Sequence, residues 1–215
     1  MSLFRKKYSI SGHDNKLLLG TKPIKRRIKN LKIAINGNHN SVHIDSGTVF
    51  GHRCRIYVYG DNNDVHIGRT HTNGSFYIYI AGNNCKCRWG RDTTAIDAKI
   101  IIGEDDSGVI IGDDCMLSNV DIRSSDGHSI FDVETGDLLN RATKHVCIGN
   151  HCWIGTNSVL TKNACLPDNT VVGAMSLVSR EFTEQNTIIA GVPARVIKRG
   201  VNFARPCPSK YKRAQ

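Results

Sequence analysis

The stretch VCIGNHCWIGTNSVLTKNACLPDNTVVGAMSLV, residues 146–178, decides the architecture. Aliphatic side chains stand at Ile148, Ile154, Leu160, Leu166, Val172 and Val178, six residues apart without a break. Two positions before each come Val146, Cys152, Ser158, Ala164, Thr170 and Ser176, all small or β-branched. A helix would repeat at about 3.6 residues and would not carry this density of Gly, Asn, Thr and Val. A parallel β-helix of triangular section meets the pattern: three six-residue faces make a coil of about 18 residues, with the aliphatic residue inward and the small one near the corner. Ile148 should then stack on Leu166, and Ile154 on Val172.

Toward the N-terminus the same theme recurs with a longer period. IAINGNHNSVHID (33–45), IYVYGDNNDVHIG (56–68), IYIAGNNCKCRWG (78–90) and the degenerate IIIGEDDSGVIIG (100–112) are each two alternating strands around a Gly/Asn turn. Their closing residues, Asp45, Gly68, Gly90 and Gly112, are spaced 23, 22 and 22, which implies corner insertions. The chain therefore reads as an all-β solenoid over residues 33–200, with a basic arm (1–32) and a basic tail (201–215). Leu117 and Ile148 both read as inward and lie 31 residues apart. Three faces take 18 of these, so about 13 residues are expected to loop out within Arg123–His145.

Composition narrows the class. The chain has 215 residues, of which 40% are hydrophobic, and its apolar runs end far short of the roughly 20 residues a membrane span needs. The N-terminus lacks a signal-peptide pattern, so a cytoplasmic location is expected. Eight scattered cysteines read as free thiols, with Cys115, Cys152 and Cys165 serving as small hydrophobes in periodic segments. Cys85-x-Cys87 lacks a second ligand pair, and no metal is expected. The net charge of +10 is concentrated at the ends. Ten Lys/Arg stand against Asp14 in residues 1–32, and seven against no acid in 195–215. Such ends suit an anionic partner or an anionic membrane surface. With only Phe4 and Tyr8 to stack bases in the arm, nucleic acid is not expected.

The segments IGNHCWIGTNSVLTKNACLPDNTVVGAMSLVSREF (148–182) and AGVPARVIKRGVNFAR (190–205) carry a resemblance to the hexapeptide-repeat, left-handed β-helix acyltransferases. The loop string SSDGHSIFD (124–132) is similar to the catalytic loop of O-acetyltransferases acting on bacterial capsule, lipopolysaccharide or sialic-acid units. The resemblance implies acetyl transfer from acetyl-CoA to a saccharide hydroxyl, in a homotrimer whose sites lie between chains. Acyl transfer to an alcohol needs a base near neutral pKa, and His128 is the candidate, with Asp126 or Asp132 to orient its ring. Trp153, read as solvent-facing, is implied beside that histidine, stacking on a sugar or on the pantetheine arm. Gly155, Thr156 and Ala174, followed by Ser179 and Arg180, are implied along the coenzyme A groove, with Arg195 and Lys198 toward its phosphates.

Three other readings compete. A small-molecule acceptor, a free sugar or an antibiotic, would use the same chemistry. A non-enzymatic scaffold would need neither the extruded loop nor the closing segment. A carbonic-anhydrase-like zinc enzyme needs three convergent histidines, but His145 and His151 fall on successive corners, and His66 and His71 in an early coil.

Overall fold

Leu31–Asn36, Cys54–Tyr59 and Phe76–Ala81 alternate buried and outward side chains, and that period of two lays them in parallel register, Ile35 on Val58 and Val58 on Ile80. The computed structural model describes residues 8–212 and winds these strands into a parallel β-helix. Among the described residues the only helical element is a 3₁₀ turn, Pro208–Lys210, and no helix is long and apolar enough to cross a membrane. Arg5, Lys6, Lys7 and Phe4 of the expected arm, and Arg213 of the tail, lie outside the described residues.

In the C-terminal coils the first face carries Trp153–Ile154 under Val171–Val172, and the second carries Val159–Leu160 under Leu177–Val178. The third carries Val146–Ile148 under Cys165–Leu166. Ile148 does stack on Leu166, and Ile154 on Val172. All six aliphatic positions and all six small ones are buried. Each corner turns through a left-handed residue: His151, Asn157, Asn163, Asn169 and Met175 have φ between 50° and 63°. Short polar side chains tolerate that region best, which accounts for the asparagines.

The structure corrects four expectations. Part of the arm is solenoid, since Ser9–Ser11 pairs with the strand at Ala34–Asn36 and Lys16–Leu19 with Ser41–Ile44. Tyr8, Leu17, Ile24 and Ile28 pack on the core as a cap. The segment escaped notice because its lysines mask a single sparse coil. The excursion is also larger than expected, because Leu117 stacks on Ile154 and it is Ile111 that stacks on Ile148. That coil takes 37 residues where the next takes 18, and residues 124–145 leave the wall. Cys165 faces outward and is half-buried, whereas Cys115 and Cys152 are buried as expected; no cysteine is disulfide-bonded. Finally, residues 202–211 are no free tail but fold back along the first face.

Candidate active site

The excursion leaves the corner between the second and third faces, and its base is tied down by polar side chains. Ser124 is buried, its hydroxyl 3.0 Å from that of Ser107. Lys162 forms an ion pair with Asp126 and donates to the Asn140 carbonyl at 2.8 Å. Asn140 Nδ2 donates to Asp126 and to the His128 carbonyl, each at 2.8 Å, while its Oδ1 accepts from the Ile130 N–H at 2.9 Å. The bond from Lys162, then that from Asn140, hold the Asp126 carboxyl below its ordinary pKa against the effect of burial. Further along, Asn163 Oδ1 accepts the N–H groups of Thr143 and Lys144 at 2.9 and 3.0 Å, and Lys144 pairs with Glu181.

Beyond this base the loop doubles back as a hairpin, with Phe131 bridging Leu138 and the Leu139 N–H donating to the Ile130 carbonyl at 2.8 Å. Asp132 shapes the tip by accepting the N–H groups of Glu134 and Thr135, both at 2.8 Å. Ile130, Phe131, Val133, Leu138 and Leu139 are all exposed on it, Val133 to 91%. Clustered exposed apolar side chains of this kind mark an interaction surface.

His128 lies where the hairpin leaves its tethered base. Its ring is exposed and lines a cavity of about 220 Å³ with Glu104, Ser125, Asp126 and Arg141 among the other walls. Neither expected orienting carboxylate bonds the imidazole: Asp126 is committed to Lys162 and Asn140, and Asp132 to its turn. The sequence reading missed Glu104, Asn140 and Lys162. The stacking of the coils brings Glu104 and Lys162 to the loop, the loop's own fold brings Asn140 back to the His128 carbonyl, and no linear motif marks any of them.

Trp153 stands elsewhere, on the first face above Met116. Its cavity, about 700 Å³, is lined by Met116, Trp153 and the returning segment 202–211, and shares no residue with the cavity of His128. Arg205 fastens that segment, donating to Asp114 Oδ1 and the Asp92 carbonyl at 2.8 Å and to Thr94 Oγ1 at 3.1 Å. Phe203 stacks on His151 with centroids 4.2 Å apart and lies 6.0 Å from Trp153. His151 in turn reaches Asp114 at 2.6 Å and the Phe203 carbonyl at 3.1 Å. Burial works to raise the Asp114 pKa, but the bonds from His151 and Arg205 outweigh it and hold the group low.

The residues read as coenzyme A contacts fall into two places. Thr156 and Ala174 are exposed at one corner of successive coils, edging the face that carries Trp153, with Gly155 buried against the Val172 carbonyl. Arg195 and Lys198 close that same face, on the hairpin of Thr187–Gly191 and Ala194–Arg199 whose Ile188 stacks on Val171. Both are exposed, and the nearby Glu184 is taken by Arg199. Ser179 and Arg180 occupy the next corner, beside the loop base, with Arg180 over the Phe182 ring at 5.0 Å. The expected site residues thus fall into two groups on different sides of the prism: His128 with the loop, and Trp153 with the small-residue corner and two cations, Arg195 and Lys198, that have no ion-pair partner among the described residues.

No family model matches the sequence. Among characterised proteins, the polysialic acid O-acetyltransferase of Neisseria meningitidis is 33% identical over 191 residues, covering 79% of this chain and 87% of that protein. The polysialic acid O-acetyltransferase of Escherichia coli O1:K1 is 34% identical over 127 residues, 59% of this chain and 40% of that one. Among solved structures, the polysialic-acid-specific acetyltransferase NeuO superposes with a TM-score of 0.77 at 28% identity, covering 96% of this chain and 93% of that one. The polysialic acid O-acetyltransferase OatWY gives 0.70 at 25%, covering 95% and 94%.

Proposed function

The chain belongs to the left-handed β-helix O-acetyltransferases typified by the polysialic acid enzymes, and from that membership we propose that it acetylates a hydroxyl of an anionic cell-surface polysaccharide from acetyl-CoA, with His128 as general base. The observation that carries this reading is an exposed imidazole on a loop whose base is locked by Lys162, Asn140 and Asp126, within a chain similar along most of its length to such enzymes. An acceptor hydroxyl would give its proton to the His128 ring as its oxygen attacks the thioester carbonyl. The tetrahedral intermediate then collapses, the C–S bond breaks, and the imidazolium gives its proton to the departing thiolate of coenzyme A. Acetyl-CoA supplies the activated acyl group. Small side chains at Thr156 and Ala174 leave room for an extended arm between coils, and Arg195 and Lys198, which have no ion-pair partner among the described residues, offer positive charge for its phosphates.

The separation of the half-sites supports a homotrimer in which the apolar hairpin of one chain delivers His128 to the Trp153 face of the next. Lysine and arginine in the N-terminal cap and the returning segment would draw in a polyanionic glycan, or the inner membrane surface that bears it.

Thiol release from acetyl-CoA, measured against a panel of polysialic acid, other capsule and lipopolysaccharide fragments, free sugars and aminoglycosides, tests the reaction. Turnover only with the small molecules would refute the polysaccharide assignment, and none with any acceptor would refute transferase action on these alcohols. His128→Ala should lose roughly 10²–10⁴-fold in turnover with an unchanged unfolding midpoint. Mixing His128→Ala with Trp153→Ala chains should restore part of the activity if sites are shared, and retained inactivity would place each site within one chain.

A further inference from the structure

On the third face, far from both half-sites, His43 and His66 lie in register on adjacent coils, with their rings stacked 4.8 Å apart and tilted by 14°. Asp45, just past the end of the strand Ser41–Ile44, turns its carboxylate toward both, with Oδ1 2.9 Å from His66 Nε2 and 3.8 Å from His43 Nε2. All three residues are partly buried, and their ligand atoms fall within 4.8 Å of one another.

One atom in this group is unaccounted for. His43 Nε2 is shielded from solvent and has no hydrogen-bond partner among the described residues. Buried polar nitrogens are almost always satisfied, so an orphan calls for a water or an ion. A cation shared with Asp45 answers the orphan nitrogen, the ring pair and the carboxylate at once. The guanidinium of Arg88, next in the same column, is drawn toward Asp113 at 3.7 Å and leaves the cluster open.

We propose that His43, Asp45 and His66 bind one divalent transition-metal ion of the zinc class, which staples two consecutive N-terminal coils. Two imidazoles and a carboxylate form a borderline-soft set that suits Zn²⁺ and its neighbours and leaves a position for water. Ligand atoms on one such ion stand roughly 3–4 Å apart, so the rings, which lie nearly parallel, would turn toward each other on binding. The role is structural and owes nothing to the transfer reaction. The sequence hides the site because its histidines are 23 residues apart and meet only through stacking.

The test uses the full chain, stripped with chelator, dialysed and titrated with ZnCl₂ by calorimetry, with Co²⁺ absorption as an independent reading of the ligands. One ion per chain is expected, with a higher unfolding midpoint in its presence. His66→Ala, His43→Ala and the size-conserving Asp45→Asn should each weaken binding roughly tenfold or more. His39→Ala is the control, because His13, Asp14 and His39 form a second, fully exposed cluster at a nearby corner. No saturable binding, binding indifferent to His43 and His66, or binding abolished by His39→Ala would each overturn the proposal, whatever the acetyl-transfer assays give.

Discussion

The N-terminal and C-terminal halves are built on one plan with different perimeters. Residues in register along the third face, Leu19, Ile44, Ile67, Trp89 and Ile111, follow one another at separations of 25, 23, 22 and 22, whereas Ile148 to Leu166 takes 18. The wider coils enclose more volume, which Phe50, Phe76 and Trp89 fill in mutual contact, with centroids 5.5–5.6 Å apart. The tight coils hold aliphatic and small side chains inside, with Phe182 the one buried aromatic among the described residues of that half, at its end. Their corners differ as well. In the wide half, buried Asn40 and Asn63 form a ladder in which each Oδ1 accepts an N–H of the following coil and each Nδ2 donates to a carbonyl. In the tight half, Ser158 and Ser176 serve that role with single hydroxyls. Perimeter therefore decides the chemistry a corner can hold: the wide coils spend it on internal stability, the tight ones leave an edge of small side chains, and the extruded loop leaves the coil where one regime gives way to the other.

Removing the cap should break the comparison most severely. Deletion of residues 1–30 takes away the first coil and the packing of Tyr8, Leu17, Ile24 and Ile28 against the core. Ile33, Ile35, Val42 and Ile44 would then face water at an open end, a loss that stacked-repeat architectures tolerate badly. The unfolding midpoint should fall on the order of 10 °C or more. A truncated chain that melts with the wild type would show that the wide coils need no cap.

A smaller effect comes from the ladders. Asn63→Ala removes the acceptor of the Cys85 N–H at 2.9 Å and the donor to the Gly82 carbonyl at 2.9 Å, stranding a buried N–H. The cost should be about 2–3 kcal/mol by denaturant unfolding, against about 1 kcal/mol for Ser158→Ala in the tight half. Equal costs would dissolve the distinction between the two kinds of corner.

Legibility followed the same division. The tight coils announced themselves because one aliphatic and one small residue recur in six consecutive faces, and the inward stack at Ile148 and Leu166 follows from the spacing alone. The extruded loop is visible as a break in that period, but its size is not, since the spacing puts Leu117 and Ile148 in one column and they belong to two. What remained hidden is long-range pairing: Asp126 with Lys162, 36 residues on, and Asp114 with Arg205, 91 residues on. Neither separation belongs to a period, and polar partners leave no hydrophobic trace. The cap was missed for the opposite reason, because one coil repeats nothing.

Lys162→Met should sharpen the junction between the halves, loosening the loop without touching the wall. Turnover is expected to drop about tenfold, with more rapid proteolysis within 130–139 and an unfolding midpoint close to the wild type. The tie also has a pH signature. The folded-state pKa of Asp126 lies below its ordinary value of 3.8, so its contribution is present above that value and is lost as pH falls through the lower one. Wild-type loop protection should therefore fade only in acid, while Lys162→Met should lack it throughout. Turnover and protection equal to wild type in the variant would show that Asn140 alone holds the base.

The smallest effect expected is a gain. Met175 occupies the left-handed corner position that Asn157, Asn163 and Asn169 fill on other turns, with φ of 57° and its side chain exposed to 70%. A long unbranched side chain has no local polar bond to offset that conformation, whereas asparagine does. Met175→Asn should stabilise the chain by roughly 0.5–1 kcal/mol in denaturant unfolding. Because Met175 neighbours Ala174 at the edge of the Trp153 face, the same substitution is expected to raise the KM for acetyl-CoA while leaving kcat unchanged. A stabilised variant with unaltered KM would mean that the strain is incidental to the groove; a destabilised one would mean that the methionine packs on a neighbouring chain.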